Sequence, residues 1–290
     1  MFERRRELKS FCTLGIGGPA DYFYEAKTLQ GLTLALAQAR SDKIRTLVIG
    51  KGSNTLFDSR GFAGLVIYNN VQTIEFAPGS VFVSGGYAFA RLGLLTARRG
   101  LAGLEFAAGI PGSVGGALFM NAGAMGCDCA GALAECLWID DAGEVQKSKR
   151  DELVFSYRYS PFQESRGVII GARFNLTEDA TAKERCQEMV SRRLASQPYG
   201  EKTAGCFFRN PEGRCAGALI DEAGLKGRRI GGAMVSTLHA NFIVNTGQAT
   251  SSDVLELVAL IQETVLAHFG HALHLEVRLI PYALDSYVSR

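Results

Sequence analysis

The chain has 290 residues, 47% of them hydrophobic and 21% charged, with a formal net charge of +2. This composition excludes a disordered or fibrous chain, and the near-neutral balance gives no bulk electrostatic case for nucleic acid or an acidic membrane surface. The length exceeds what one core usually needs, so two or three subdomains are expected.

The N-terminal run Met1-Phe2-Glu3-Arg4-Arg5-Arg6-Glu7 is charged and no apolar stretch follows it, so no signal peptide is read there. No apolar stretch reaches membrane-span length. Seven cysteines, odd in number and scattered, argue against a disulfide framework. A reducing, cytoplasmic location is the expectation.

Asp21–Glu25 reads as a strand, and residues 29–40 as a helix with Leu32, Ala35, Leu36 and Ala39 on one face. Thr46-Leu47-Val48-Ile49 reads as a short buried strand feeding Gly50, and Leu65–Tyr68 as the next strand. Val81–Ser84 is strand-like, residues 88–99 are helical up to a cap at Gly100, and residues 107–126 form a loop rich in Gly and Ala. Strands follow at 135–140 and 168–176, with a hairpin turn at Asp140-Asp141-Ala142-Gly143. Helices are expected over 180–195, 213–223 and 251–269. In the last, Ser251 or Ser252 is the expected cap, Val254, Leu257, Val258, Ile261 and Val265 the buried stripe, and Gly270 the stop. A final strand covers Leu275–Ile280 and ends at Pro281. The class is α+β.

The 34 glycines are clustered and not periodic, which marks sharp turns or close approach of backbone to a ligand. Gly50-Lys51-Gly52-Ser53-Asn54 follows a strand and can offer backbone N–H groups and two side chains to phosphate oxygens. It is not a P-loop, and Thr55 stands where a dinucleotide fingerprint has its third glycine. Alone it fits an ordinary strand-to-loop turn equally well. Gly109-Ile110-Pro111-Gly112-Ser113-Val114-Gly115-Gly116 is more specific, and it runs on to Asn121-Ala122-Gly123. Pro111 fixes its own φ while the glycines keep side chains away. With Gly15-Ile16-Gly17-Gly18 as a third such segment, one extended ligand of the dinucleotide kind is expected. Cys127-x-Cys129 and His239, His268, His271 and His274 match no metal-ligand spacing, so no metal is expected.

Six segments in order carry a resemblance: Thr13–Ala20, Gly50–Leu56, Ile110–Gly123, Phe155-Ser156-Tyr157-Arg158-Tyr159-Ser160, Ala204-Gly205-Cys206-Phe207-Phe208-Arg209-Asn210-Pro211, and Glu276-Val277-Arg278. Over nearly its whole length the chain resembles the UDP-N-acetylenolpyruvoylglucosamine reductase family of peptidoglycan synthesis. The resemblance implies a two-part FAD-binding fold of the vanillyl-alcohol-oxidase (PCMH) type plus a C-terminal α+β substrate domain. The parts would be residues 1–70 joined by the C-terminal strand 275–290, residues 71–178, and residues 179–274. It implies non-covalent FAD, NADPH as reductant, and conversion of UDP-N-acetylglucosamine enolpyruvate to UDP-N-acetylmuramate by a monomer. Gly50, Lys51, Gly52, Ser53, Asn54, Thr55, Ile110, Pro111, Gly112, Ser113, Gly115, Gly116, Ala122 and Gly123 would hold the cofactor. Another FAD-linked oxidoreductase of the same fold, or a catalytically silent nucleotide-sugar-binding module, are the alternatives.

Reducing an enolpyruvyl ether needs hydride at one carbon, stabilisation of the charge beside the carboxylate, and a proton at the other carbon. The resemblance implies Arg158 for the carboxylate, Cys206 for the proton and Glu276 to orient the acid side. Each residue also has a structural reading: an ion pair for Arg158, a Glu276–Arg278 pair on one strand face, a small buried thiol for Cys206. Cys206 is a departure, because the family usually has serine there. A free thiol, with a reference pKa of about 8.5, is a far better acid than an aliphatic hydroxyl. Tyr157, Arg209, Asn210 and Arg193 are the implied substrate contacts. Gln197 stands where some members carry a lysine, so Arg192 or Arg193 is expected to hold the diphosphate. The short span between Arg158 and Cys206 lacks the tyrosine-bearing insertion of longer members.

Overall fold

The computed structural model describes residues 2–165 and 167–283. Its chain divides into two units: Met1–Phe23 with Gly52–Leu65 and Leu194–Arg290, and Tyr24–Lys51 with Val66–Arg193. Helices and strands are mixed throughout both, as the α+β expectation requires.

The unit of Tyr24–Lys51 and Val66–Arg193 is built on a five-stranded antiparallel sheet. Its order is Val145–Lys149, Leu133–Ile139, Val168–Asn175, Ser80–Ser84, Ile74–Ala77. Ser-Val-Phe-Val-Ser alternates, so Val81 and Val83 enter the core together with Cys136, Ala172 and Phe174. The hairpin at Asp140 closes because its Oδ1 accepts from the Gly143 and Glu144 N–H groups at 2.8 and 2.9 Å. Helix Phe89–Arg98 buries Phe89, Leu92, Gly93, Thr96 and Ala97, a helical stripe laid on the sheet. Burying a side chain such as Phe89 or Leu92 contributes roughly 1.5–3 kcal/mol. A Cβ on Gly93 would lie 2.6 Å from the Leu104 carbonyl oxygen and from the Ala108 nitrogen, so glycine lets the 3-10 turn Glu105–Gly109 press against the helix. That turn begins the glycine-rich segment.

Helix Ala182–Ser196 is tied to the same turn by charge. Arg185 Nε donates to Glu105 Oε1 at 3.1 Å, and Arg185 Nη1 to Asp179 Oδ2 at 2.8 Å. Glu105 also accepts from the Gly103 N–H at 2.7 Å.

In the other unit the sheet order is Thr203–Cys206, Phe242–Asn245, Ala233–Val235, Arg229–Ile230, all antiparallel. Helix Ser251–Phe269 packs on it and on helix Ala216–Glu222 through the expected stripe Val254, Leu257, Val258, Ile261 and Val265. Gly270 ends the helix at φ 70°.

Several elements differ from the sequence expectation. The helix cap is Thr250, which exchanges hydrogen bonds with Asp253, while Ser251 exchanges N–H and hydroxyl bonds with Ser59. The segment 107–126 is not all loop: Val114–Phe119 is helical, because Ser113 Oγ accepts from the Gly116 N–H. In Thr46–Ile49 only Ile49 is buried. The final strand is Arg278–Ile280 alone, parallel to Thr55–Phe57, because the preceding residues turn their backbone groups to Phe207, Phe208 and Arg209. Glu276 therefore precedes the strand instead of lying on it. The end of the expected strand 275–290 beyond residue 283 lies outside the described residues.

Asp179 is held well below the usual carboxylate value of 3.8, at about 2, by the Thr181 hydroxyl and N–H and then by Arg185. A depressed folded value stabilises above the unfolded pKa and is lost as pH falls through the folded one. Asp179→Asn should therefore lower the melting temperature at neutral pH, with the gap from the parent closing as pH falls from 3.8 towards 2. Thermal melts across that range check it.

Candidate functional site

Strand Thr46–Ile49 delivers Gly50 to Ser113. A Cβ on Gly50 would lie 1.9 Å from Ser113 Oγ, so only glycine lets these two segments meet. The next residue, Lys51, donates from Nζ to the Tyr68 hydroxyl at 2.8 Å, with the ammonium 5.4 Å from that ring's centre. On the other segment Ile110 bonds back to Ala107, Pro111 is exposed, and Gly112 takes φ +138°. Gly115 donates to the Gly85 carbonyl at 2.8 Å, and a Cβ there would crowd that oxygen at 3.2 Å. The backbone N–H groups of Gly112 and Ser113 donate to no described residue, although Ser113 is only 3% exposed. A buried donor left unsatisfied costs about 1–3 kcal/mol, so such donors suit an anionic ligand such as a cofactor phosphate.

The segment continues through Asn121, which is buried at φ 42°. Its Nδ2 donates to Asp128 Oδ2 at 3.1 Å and to the Ser156 carbonyl at 3.0 Å, and its Oδ1 accepts from the Ala130 N–H. Ala122 donates its N–H to Ala117. A Cβ on Gly123 would meet the Cys127 carbonyl at 2.5 Å, so this glycine is required by its own hairpin.

Ser156 and Tyr159 exchange backbone hydrogen bonds at 3.2 and 3.1 Å, closing a two-residue turn around Tyr157 and Arg158. Arg158 sits at φ 57°, a left-handed conformation that turns normally give to glycine or asparagine. Its guanidinium carbon lies 4.9 Å from the centre of the exposed Tyr157 ring. The turn is anchored to the end of helix Val114–Phe119: Gln163 Nε2 donates to both the Arg158 and Phe119 carbonyls at 2.9 Å, and Ser160 Oγ donates to Phe119 at 2.7 Å. One short helix thus joins the glycine-rich segment to the arginine turn. Arg193 also belongs to this unit, with its Cδ 2.5 Å from where a Gly109 Cβ would stand. Its stem lies over the start of the glycine-rich segment.

The other unit contains Gly52, at φ +59°, where a Cβ would meet the Phe11 carbonyl at 2.2 Å. Its carbonyl accepts from the Thr13 N–H, and its own N–H donates to no described residue. Ser53 lies between Gly52 and Asn54, half-buried, and its carbonyl oxygen is 3.9 Å from where a Gly205 Cβ would stand. Asn54 Nδ2 donates to the Glu276 carbonyl at 3.0 Å, and Thr55 starts the strand paired with Arg278–Ile280. Cys206, half-buried, ends strand Thr203–Cys206 just past Gly205 at φ +80°. Beyond it the Glu276 N–H donates to the Phe207 carbonyl at 2.8 Å, and the Arg209 N–H to the His274 carbonyl at 2.8 Å. Asn54, Cys206, Arg209 and Glu276 therefore lie on neighbouring segments of one unit. Arg209 Nε is buried and has no hydrogen-bond partner among the described residues. Asn210 Oδ1 accepts from the Ala216 N–H at 3.0 Å and so caps helix Ala216–Glu222.

In the third glycine segment, Gly17 and Gly18 are packed tightly against the chain itself. Gly17 sits 3.0 Å from Phe57 and 3.2 Å from Leu8 by its missing Cβ, and Gly18 2.4 Å from the Ser59 carbonyl. One residue was passed over: Asn241, 3% exposed, holds both backbone groups of Phe208. Its signal was a lone amide inside the apolar run Ala240-Asn241-Phe242-Ile243-Val244. None of the seven cysteines is in a disulfide, and burial pushes the Cys129 and Cys136 thiols up, Cys136 to about 12. Among the described residues no group of three or more His, Cys, Asp or Glu stands ready for a metal.

A left-handed conformation costs an L-residue roughly 1–2 kcal/mol and glycine almost nothing. Arg158→Gly should therefore be more stable than Arg158→Ala by roughly 1 kcal/mol in urea titration, since both variants lose the side chain. An alanine variant as stable as the glycine one would show the turn to be unstrained.

The model of the C-terminal domain of UDP-N-acetylenolpyruvoylglucosamine reductase matches residues 197–280, and that of an FAD binding domain matches residues 20–147. The reductase of that name from Protochlamydia amoebophila is 50% identical over 279 residues, covering 96% of this chain and 93% of that protein. The one from Chlamydia trachomatis serovar L2 is 48% identical over 278 residues, covering 96% and 95%. The crystal structure of the reductase from Thermus caldophilus superposes with a TM-score of 0.84 at 38% identity, covering 97% of this chain and 99% of that one. These likenesses bear out the expected architecture, an FAD-binding fold joined to a C-terminal α+β domain. The chain belongs to the UDP-N-acetylenolpyruvoylglucosamine reductase family.

Proposed function

We propose that this chain reduces UDP-N-acetylglucosamine enolpyruvate to UDP-N-acetylmuramate in peptidoglycan precursor synthesis, with non-covalent FAD as cofactor and NADPH as reductant. The observation that carries the reading is the neighbourhood of Cys206, Arg209 and Glu276: a proton donor, a cation with an unsatisfied buried Nε and a carboxylate on adjoining segments.

Gly50, Lys51, Ile110, Pro111, Gly112, Ser113, Gly115 and Gly116 would hold FAD in the unit of Val66–Arg193, supported by the undonated N–H groups of Gly112 and Ser113. Gly52, Ser53, Asn54, Thr55, Ala122 and Gly123 complete the proposed set. FAD held there, once reduced by NADPH, would supply hydride for the β carbon of the enol ether. The Arg158 guanidinium grips the substrate carboxylate and shares the negative charge that builds beside it. Its strained turn is the kind of local cost that a functional side chain sustains. Cys206 then delivers the thiol proton to the α carbon, for which it must start protonated. Glu276 orients that acid side, held through its backbone by Phe207 and Asn54. Arg209 and Arg193 take the diphosphate, Asn210 reads the uracil, and Tyr157 borders the sugar. The same reading divides the chain into parts of residues 1–70, 71–178 and 179–274, and makes it a cytoplasmic monomer.

Stopped-flow spectroscopy of the flavin tests the assignment. NADPH should reduce the bound flavin in the parent, and the enolpyruvyl substrate should reoxidise it. Cys206→Ala should slow reoxidation by roughly 10²–10⁴-fold, and Cys206→Ser should keep most of the rate. A near-parental rate in Cys206→Ala would overturn the proton-donor role, and a purified protein without a flavin spectrum would overturn the flavin reading.

A further inference from the structure

Strand Thr203–Cys206 pairs with Phe242–Asn245 as far as the couple Cys206 and Phe242. The ladder would end there, but Asn241 extends it. Its backbone carbonyl accepts from the Phe207 N–H at 2.8 Å. Its side chain then takes both backbone groups of Phe208: Oδ1 accepts from the N–H at 2.9 Å, and Nδ2 donates to the carbonyl at 2.8 Å. An amide side chain thus does the work of one more strand residue. On the opposite edge these two residues and the next pair with another segment: Phe207 accepts from Glu276, Phe208 bridges Leu275, and Arg209 donates to His274. Phe207 and Phe208 are fully buried, so no water can replace these bonds.

We propose that Asn241 is the positioning residue that sets where Cys206, Arg209 and Glu276 stand. The inference rests on the function proposed above. Asn241 is 3% exposed and touches no reacting atom; it acts through the Phe207–Phe208 backbone. Without its amide, Phe208 loses both partners on one side, and on that side the segment keeps only the Phe207 N–H bond to the backbone carbonyl of residue 241. A displacement of about 1 Å at a reacting group is enough to cost 10²-fold in rate.

The test uses the flavin-loaded enzyme and two variants, with amide hydrogen exchange as a readout independent of turnover. Asn241→Ala should speed exchange in residues 206–209 and 274–277. It should slow reoxidation of the flavin by substrate about 100-fold, and leave reduction by NADPH within about threefold. Asn241→Asp keeps the shape and the acceptor for Phe208 N–H. Its neutral acid can still donate to the Phe208 carbonyl, whereas the carboxylate repels it. Burial raises the midpoint of such an acid above about 4, so reoxidation in this variant should fall with rising pH around that midpoint. His239, whose Nδ1 accepts from the Asn241 N–H at 3.3 Å and whose value burial lowers, and Lys226, Cys206, Arg209 and Glu276 are the other ionisable groups around this amide and its neighbours, and the parent profile serves as the reference for them. Equal slowing of both half-reactions, unchanged exchange in Asn241→Ala, or a parental pH profile in Asn241→Asp overturns the proposal. Failure of both variants to fold does so too, in favour of a purely structural amide. If the parent itself is not reoxidised by substrate, the functional reading fails instead, and the exchange arm still decides what Asn241 holds.

Discussion

The hydrogen bond from the Glu276 N–H to the Phe207 carbonyl is the contact on which the arrangement around Cys206 depends. Two segments far apart in the chain are brought to one place by backbone pairing, not by side-chain affinity. The pairing survives because Phe207 and Phe208 are buried, and a buried backbone group must find a partner. Once Phe207 is committed on one edge to Asn241 and on the other to Glu276, the residues on either side have little freedom left. The final strand is short for the same reason: residues before Arg278 spend their backbone groups on this segment and cannot also run beside Thr55–Phe57.

The unit that carries the glycine-rich segment is organised around Ser113. Its hydroxyl caps helix Val114–Phe119, faces Gly50 at a distance only glycine allows, and leaves its own N–H undonated. The same helix ends at Phe119, whose carbonyl anchors Ser160 and Gln163 and with them the turn bearing Arg158. Rigidity here is bought with glycine. Gly93, Gly109 and Gly115 each admit a neighbour that a methyl group would push away. The reverse choice is made at Arg158, where a residue that suffers in the left-handed region is kept. Arg5, Lys43, Asn121 and Met125 share that region with it, so left-handed backbone in this chain is not reserved for glycine.

Much of this was legible in the sequence because the signals are local. The stripe Val254, Leu257, Val258, Ile261 and Val265, the Gly270 stop and the Asp140–Gly143 hairpin follow from periodicity and turn chemistry. So did the two glycine-rich segments and the family resemblance. The errors were equally physical. Thr250 outcompeted Ser251 as cap because Asp253 could complete a reciprocal pair, while Ser251 found Ser59. A helix hid in the 107–126 loop because its glycine content argues against helix, and packing against the sheet and Ser113 capping prevailed. The close protein neighbours of Gly17 and Gly18 were equally invisible, because glycine composition does not say what stands beside the missing Cβ.

By itself, then, the sequence determined the two glycine-rich segments, the elements that deliver them and the residue types fit for charge and proton chemistry, since each depends on neighbours within a few residues. Which glycines make room for Phe57, Ser59 or Ser113 was decided by tertiary structure. So were the left-handed turn at Arg158, the buried Nε of Arg209 and the hold of Asn241 on Phe208. The physical reason is common to all of them: steric exclusion and hydrogen-bond satisfaction are properties of atoms in contact, and those contacts join residues that the chain order keeps far apart.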